Sequence, residues 1–162
     1  SGVYLDIIDG YEYWREQRGA RRRASAATDM ARLVIALARY ARETRGRSDF
    51  IVIPQNGSGI LEYLSPQLRT QYRAAIDGIG AEDTFYFGDE DENNPLALQT
   101  GVIENLGQFR DAGKPVFSID YLTEPLLIES YKGLACSNGF IPQVSVRALD
   151  RFETNTLAGC DD

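Results

Sequence analysis

Apolar positions along this chain fall into short unbroken blocks that alternate with longer periodic stretches. Residues 2–8 are a β-branched and aromatic run and read as a strand. Residues 9–24 read as a loop, aromatic first (Tyr11, Tyr13, Trp14) and then basic from Arg15 to Arg23. Over 26–44, Met30, Leu33, Val34, Leu37, Ala38 and Ala41 recur at i, i+3 and i+4, which predicts a helix. Ser25 or Thr28 can cap its start, and Gly46 can end it. Residues 50–54 form a second strand and 60–64 a short helix. Ser65-Pro66 opens another helix, with Ser as N-cap and Pro at the first helical position. A third strand is expected at 78–82, a polar acidic loop at 89–95, and a helix over 96–112 ended by Gly113. Residues 115–119 make a fourth strand, 124–136 a helix stopped by Asn138-Gly139, and 140–146 a fifth strand.

These strands do not alternate cleanly, and each of the first four is followed by a helix. Such runs belong to parallel strands covered on both faces. The expected fold is therefore α/β, either a doubly wound sheet or part of a (β/α)8 barrel, whose usual length is about 250 residues. No linker, internal repeat or low-complexity segment divides the 162 residues, so a single domain over 1–162 is expected.

Composition removes several function classes. The chain has no histidine, which excludes Ser-His-Asp and Cys-His chemistry and imidazole metal sites. A net charge of -7 argues against generic nucleic-acid binding, which runs on phosphate neutralisation. No apolar run reaches the ~20 residues of a membrane helix. No cofactor and no metal site are expected. The two cysteines, Cys136 and Cys160, cannot close a four-thiolate site. They are either unrelated thiols or a disulfide tying back the tail, which would require an oxidising compartment. The chain opens directly in a strand-like run, so upstream sequence is expected.

In parallel α/β folds, functional residues gather at the C-terminal strand ends. Here those ends carry Asp6 and Asp9, then Gln55-Asn56-Gly57, then Glu82-Asp83, then Asp120-Tyr121, with Gln143 and Arg147 near the last. A carboxylate rim without histidine suits glycoside hydrolysis. That reaction needs one protonated carboxyl for the leaving oxygen and one ionised carboxyl to attack the sugar or activate water. Tyr4, Tyr11, Tyr13, Trp14, Phe85, Tyr86, Phe87 and Tyr121 are candidate faces for sugar rings, with half of them expected in the core and Tyr4 expected to pack.

Residues 2–6 (Gly-Val-Tyr-Leu-Asp) followed by 7–14 (Ile-Ile-Asp-Gly-Tyr-Glu-Tyr-Trp) resemble the fourth-strand motif of the endo-α-1,4-polygalactosaminidase-type glycoside hydrolases. Residues 53–57 are similar to that family's amide-rich fifth-strand end, 76–83 to the sixth strand and 116–121 to the seventh. Residues 139–142 with 147–150 resemble the eighth. The resemblance covers most of the chain in the family's order. It implies a (β/α)8 barrel of which this chain supplies strands four to eight, a half barrel that needs its N-terminal half or self-association. It further implies Asp6 and Glu82 as the catalytic pair. By chemistry Asp6 is the nucleophile or stabiliser and Glu82 the proton donor, with the reverse as alternative. Asp9, Tyr11, Trp14, Asn56, Asp120 and Tyr121 are the expected substrate-binding residues. The expected substrate is an aminosugar-containing polysaccharide or oligosaccharide, met outside the cytoplasm. Fungal members tend to carry a cysteine soon after the sixth-strand glutamate, where this chain has Thr84 and Phe85, which leaves the sugar open.

The acidic stretch 89–92 is either a solvated loop or an attractor for a cationic aminosugar polymer. The arginine run 15–23 either binds an anionic polymer, pairs with that loop, or is solvated. A non-catalytic carbohydrate-binding barrel is the competing function. A phosphate-binding domain is disfavoured, because no glycine-rich phosphate loop follows a strand.

Overall fold

The computed structural model describes residues 1–150 and Cys160. Its chain divides into two units, Ser1–Ile79 and Gly80–Asp162. Each is built on parallel strands, giving a mixed α/β fold.

In the first unit, β1 (Gly2–Leu5) pairs with β2 (Ile51–Pro54), Val3 opposite Val52. Between them run α1 (Gly10–Glu16), a 3-10 turn at Gly19–Arg21, and α2 (Ala26–Arg39). Ala27, Ala31, Val34 and Ala38 repeat at helical spacing and are all buried, so α2 turns a narrow face of small residues inward. It packs on α1 and on α3 (Pro66–Ala75). Tyr11, Val52, Ile60, Leu61 and Tyr72 complete the core. The α2 helix runs on as a π-helical turn, Tyr40–Thr44. This widened turn carries Arg42, whose guanidinium donates to the carbonyls of Phe50 (3.0 Å) and Ala75 (3.0 Å) and to Asp77 Oδ2 (2.6 Å). The same carboxylate oxygen accepts the Val52 amide at 2.7 Å. One ion pair thus satisfies backbone groups at the start of β2 and the end of α3.

The second unit begins within β3 (Ile79–Glu82), which is followed in the sheet by β4 (Val116–Tyr121) and β5 (Ile141–Ser145), with β4 and β5 parallel and Phe117 opposite Ile141. The helices are α4 (Thr100–Arg110) and α5 (Pro125–Ser137). Phe85, Leu106, Phe109, Tyr131 and Phe140 form the core. Tyr131 of α5 donates its hydroxyl to Ser118 of β4 and accepts the Gln143 amide of β5 at 3.3 Å, stitching helix to sheet. Cys136 and Cys160 form a disulfide.

Most expected elements stand within a residue or two of their predicted bounds, and Gly46, Gly113 and Gly139 take positive φ at helix ends as expected. Ser65 caps α3, its hydroxyl accepting the Leu68 amide at 3.3 Å. Four expectations are corrected. Residues 9–24 are not a loop throughout but contain α1, because burying Tyr11 fixes the first turn after Asp9. The helix expected over 96–112 starts only at Thr100, since Leu96 bridges Tyr86 and the Ala97 amide donates to the Phe85 carbonyl. Ser25 stands at the N-cap of α2, yet its hydroxyl donates to the Asp29 carboxylate (2.8 Å) rather than accepting a helix amide. Tyr4 is not packed but half-exposed, at 46%.

Candidate active site

The carboxylates expected to act lie at the C-terminal ends of the strands, and each unit builds its own rim. In the first unit β1 ends at Leu5, so Asp6 stands just beyond the ladder, exposed. Its Oδ1 accepts the Ile7 amide at 2.7 Å. Ile7 has a φ of 57°, a left-handed conformation that a β-branched residue adopts only at a cost of roughly 1–3 kcal/mol. Asp9 occupies the N-cap position of α1.

The turn after β2 closes on this segment. Asn56 and Gly57 both have positive φ. A Cβ at Gly57 would lie 3.2 Å from the Asp9 amide nitrogen and from the Tyr11 ring, so the turn tolerates little but glycine. Asp9, Tyr11 and Asn56 are thereby brought together. Tyr11 is only 1% exposed, with its hydroxyl on Glu12 Oε1 and its ring edge-on to Tyr63. It is a core residue, not a sugar platform. Tyr13 and Trp14 are exposed and pack edge to face. Trp14 borders a groove of about 350 Å³ with Ile7, Arg23, Met30 and Leu33. In the basic stretch, Arg15 stacks over the Tyr63 ring and Arg23 pairs with Asp29.

The second rim is denser. Glu82 ends β3, and its Oε1 accepts the Tyr121 hydroxyl from the end of β4. The guanidinium of Arg147, just past β5, lies 3.8 Å over the Tyr121 ring centre. The same guanidinium forks onto both oxygens of Asp83, at 2.7 and 2.9 Å. Burial, and then Glu82, push the Tyr121 phenol well above its ordinary range, so it stays a donor. The Asp83 carboxylate holds the Arg147 guanidinium charged.

Asp120 and Tyr121 are neighbours in a strand and therefore point to opposite faces. Asp120 shares its face with Val116 and Ser118 and is fully buried. Its Oδ1 accepts the amides of Tyr86 (2.9 Å) and Phe85 (3.3 Å). Asp120 thus anchors the loop after β3 and does not reach the rim shared by Glu82 and Tyr121. Burial pushes its carboxyl up to about 7, against the opposing pull of those amides.

Two asparagines tie down the acidic loop. Asn93 Oδ1 accepts the amides of Thr123 and Glu124, at 2.8 and 3.1 Å, at the start of α5. Asn94 is 2% exposed and exchanges hydrogen bonds with the Glu90 backbone. A Cβ on Gly88 would sit 2.4 Å from Asn94 Oδ1, so a larger residue there would displace the Asn94 side chain. Glu92 accepts the Arg147 amide at 3.1 Å. The loop backbone is thus held in place, while Asp89, Glu90 and Asp91 stay exposed to solvent and Glu92 is partly buried. Phe85 and Tyr86 are buried and offer no ring face, whereas Phe87 is half-exposed.

The strand-end pattern assigns no role to Asp83 or Arg147 and does not single out Asn93 or Asn94. Among the described residues, no group of three or more Cys, Asp or Glu side chains could hold a metal ion.

Comparison with known proteins places the chain in a family. Residues 1–157 match the family model described as glycoside-hydrolase family GH114. The chain is 32% identical over 157 residues to an uncharacterized protein of Deinococcus radiodurans, covering 96% of this chain and 46% of that one. It is 33% identical over 168 residues to an uncharacterized protein of Thermotoga maritima, covering 98% and 49%. A third, from Methanocaldococcus jannaschii, is 30% identical over 162 residues, covering 94% and 44%. The chain thus spans a little under half the length of these relatives. Taken with the ordered strand-end motifs and the carboxylate rims, the match over 1–157 establishes that the chain belongs to glycoside hydrolase family GH114, the endo-α-1,4-polygalactosaminidase family.

Proposed function

We propose that this sequence forms the catalytic face of an endo-acting glycoside hydrolase that cleaves an aminosugar-containing polysaccharide, with Asp6 and Glu82 as its carboxylate pair. The observation that carries the reading is Glu82. It stands at the C-terminal end of a parallel strand, with one carboxyl oxygen occupied by a buried phenol that stays protonated. A carboxyl held in one orientation is what proton transfer to a glycosidic oxygen requires. Asp6, exposed beside a strained residue, takes the ionised role of nucleophile or stabiliser. Trp14, Asn56 and Asp9 supply the substrate face on the first rim.

Two further parts belong to this reading. The chain acts as strands four to eight of a (β/α)8 barrel. In support, β1 has β2 as its one strand neighbour among the described residues, and its Val3 and Tyr4 are left exposed, an edge suited to another strand or to a second copy. The protein works in an oxidising, extracytoplasmic compartment, consistent with the disulfide between Cys136 and Cys160.

The test is incubation of the protein with partly deacetylated galactosaminogalactan, read by mass spectrometry beside Glu82→Gln and Asp6→Asn. Oligosaccharides from the parent and none from either variant are expected. Turnover that survives Glu82→Gln would remove Glu82 from the mechanism. Binding without product from any form would favour a carbohydrate-binding role.

A further inference from the structure

The cluster around Glu82 contains more than a catalytic carboxyl needs for itself, and the role inferred for its other members rests on reading Glu82 as catalytic. The sequence places Tyr121 among the residues expected to touch substrate. Yet Tyr121 is 3% exposed, one face of its ring is covered by the Arg147 guanidinium at 3.8 Å, and its hydroxyl is donated to Glu82. Little of it is left for a sugar to contact.

Arg147 is itself held from several sides. Its two terminal nitrogens fork onto Asp83, and its backbone amide donates to Glu92 of the acidic loop. Asp83 is fixed in turn. It has a φ of 50°, its amide donates to the Ile119 carbonyl at 2.9 Å, and its own carbonyl accepts from Gln99 at 2.9 Å. The stack on Tyr121 and the fork on Asp83 are contacts that a planar, always-charged group can make and an ammonium cannot. Lysine can neither stack flat on a ring nor donate two parallel bonds to one carboxylate.

We propose that Tyr121 and Arg147 are positioning residues: Arg147, anchored by Asp83, fixes the Tyr121 ring, and the Tyr121 hydroxyl fixes the Glu82 carboxyl in its reactive orientation. The unit is a relay of rigid contacts running from the loop after β5, across β4, to the end of β3. It explains why Asp83 adopts a left-handed backbone immediately after Glu82. Directly after Glu82 ends β3, Asp83 at that φ places its carboxylate on Arg147.

The experiment has two readouts. The first is kinetic, on Tyr121→Phe, Arg147→Lys and Arg147→Gln. Positioning predicts a fall in kcat of about 10- to 100-fold for Tyr121→Phe and Arg147→Gln, with KM within about twofold. Arg147→Lys is expected to restore only part of the rate. A rise in KM at unchanged kcat would return Tyr121 to the substrate-binding set and overturn the proposal. The second readout needs no turnover. With ¹³C at glutamate carboxyl carbons, the Glu82 resonance is followed by NMR in each variant, and thermal unfolding confirms that each remains folded. It is expected to move in Tyr121→Phe and also in Arg147→Gln, which lies one residue further away. A Glu82 resonance unchanged by Arg147→Gln would break the relay. Full activity of Glu82→Gln would sink the catalytic reading on its own, while the NMR result would still decide whether the relay exists.

Discussion

The two candidate carboxylates sit in opposite kinds of surroundings. Glu82 is half-buried at the end of a three-stranded sheet, held by Tyr121, which is gripped by Arg147, which is forked onto Asp83. Asp6 is exposed past the end of a two-stranded sheet, with its carboxylate turned onto the amide of its own neighbour. One site is fixed by long-range contacts spanning up to 64 positions of sequence. The other is fixed by a local turn and a strained isoleucine. The difference teaches that a strand-end acid has no fixed character. What lies on its own face of the sheet decides whether it is a preorganised group or an open one.

The comparison breaks most sharply at the carboxylates themselves. Glu82→Gln and Asp6→Asn are each expected to lower turnover by about 10²–10⁴-fold. Steady-state product release would show it, and a small effect from either would dissolve the pairing. Next comes the anchor on the buried face. Asp120→Ala orphans the Phe85 and Tyr86 amides and should cost about 2–4 kcal/mol in urea unfolding, while Asp6→Ala should cost about 0.5 kcal/mol or less. Equal losses would show that the second rim is no better built than the first.

The same buried residue sharpens the contrast through pH. The Asp120 carboxyl is raised to about 7 in the folded protein, so folding favours its protonated form. Its contribution is complete below about pH 4 and drains away as pH rises through about 7. The stability difference between the parent and Asp120→Asn should therefore shift against the parent from pH 4 to 8. A difference independent of pH would sink this reading.

Arg42→Met, in the first unit, removes three hydrogen bonds and should cost about 1–3 kcal/mol, read by thermal unfolding. The smallest effect is expected at the exposed aromatics. Trp14→Ala should move stability by about 0.5 kcal/mol or less and weaken glycan binding by about 1 kcal/mol, measured by calorimetric titration.

The strands are legible in the sequence because buried parallel strands write themselves as short apolar runs, and residues 51–54 and 116–119 do so plainly. The helix over 26–39 is legible from its period. The turn at Gly10–Glu16 is not, since seven residues span too few periods, and what folds them is the burial of Tyr11. Reading strand ends as a rim locates Glu82 but pools Asp120 with Tyr121. Strand alternation, applied to Val116, Ser118 and Asp120, separates them. The Arg147–Asp83 fork is out of reach of any such pattern. Its partners are 64 residues apart, and no local signal announces such a contact.

The bond between Cys136 and Cys160 has a topological consequence. It closes a covalent ring that begins near the end of α5, contains all of β5, and carries Arg147 on its circumference. A protease that cuts once within that ring severs the backbone but releases nothing. The cut form would run as one species on a non-reducing gel and as two once thiol is added, and until then the segment bearing Arg147 stays tethered to the helix beside it.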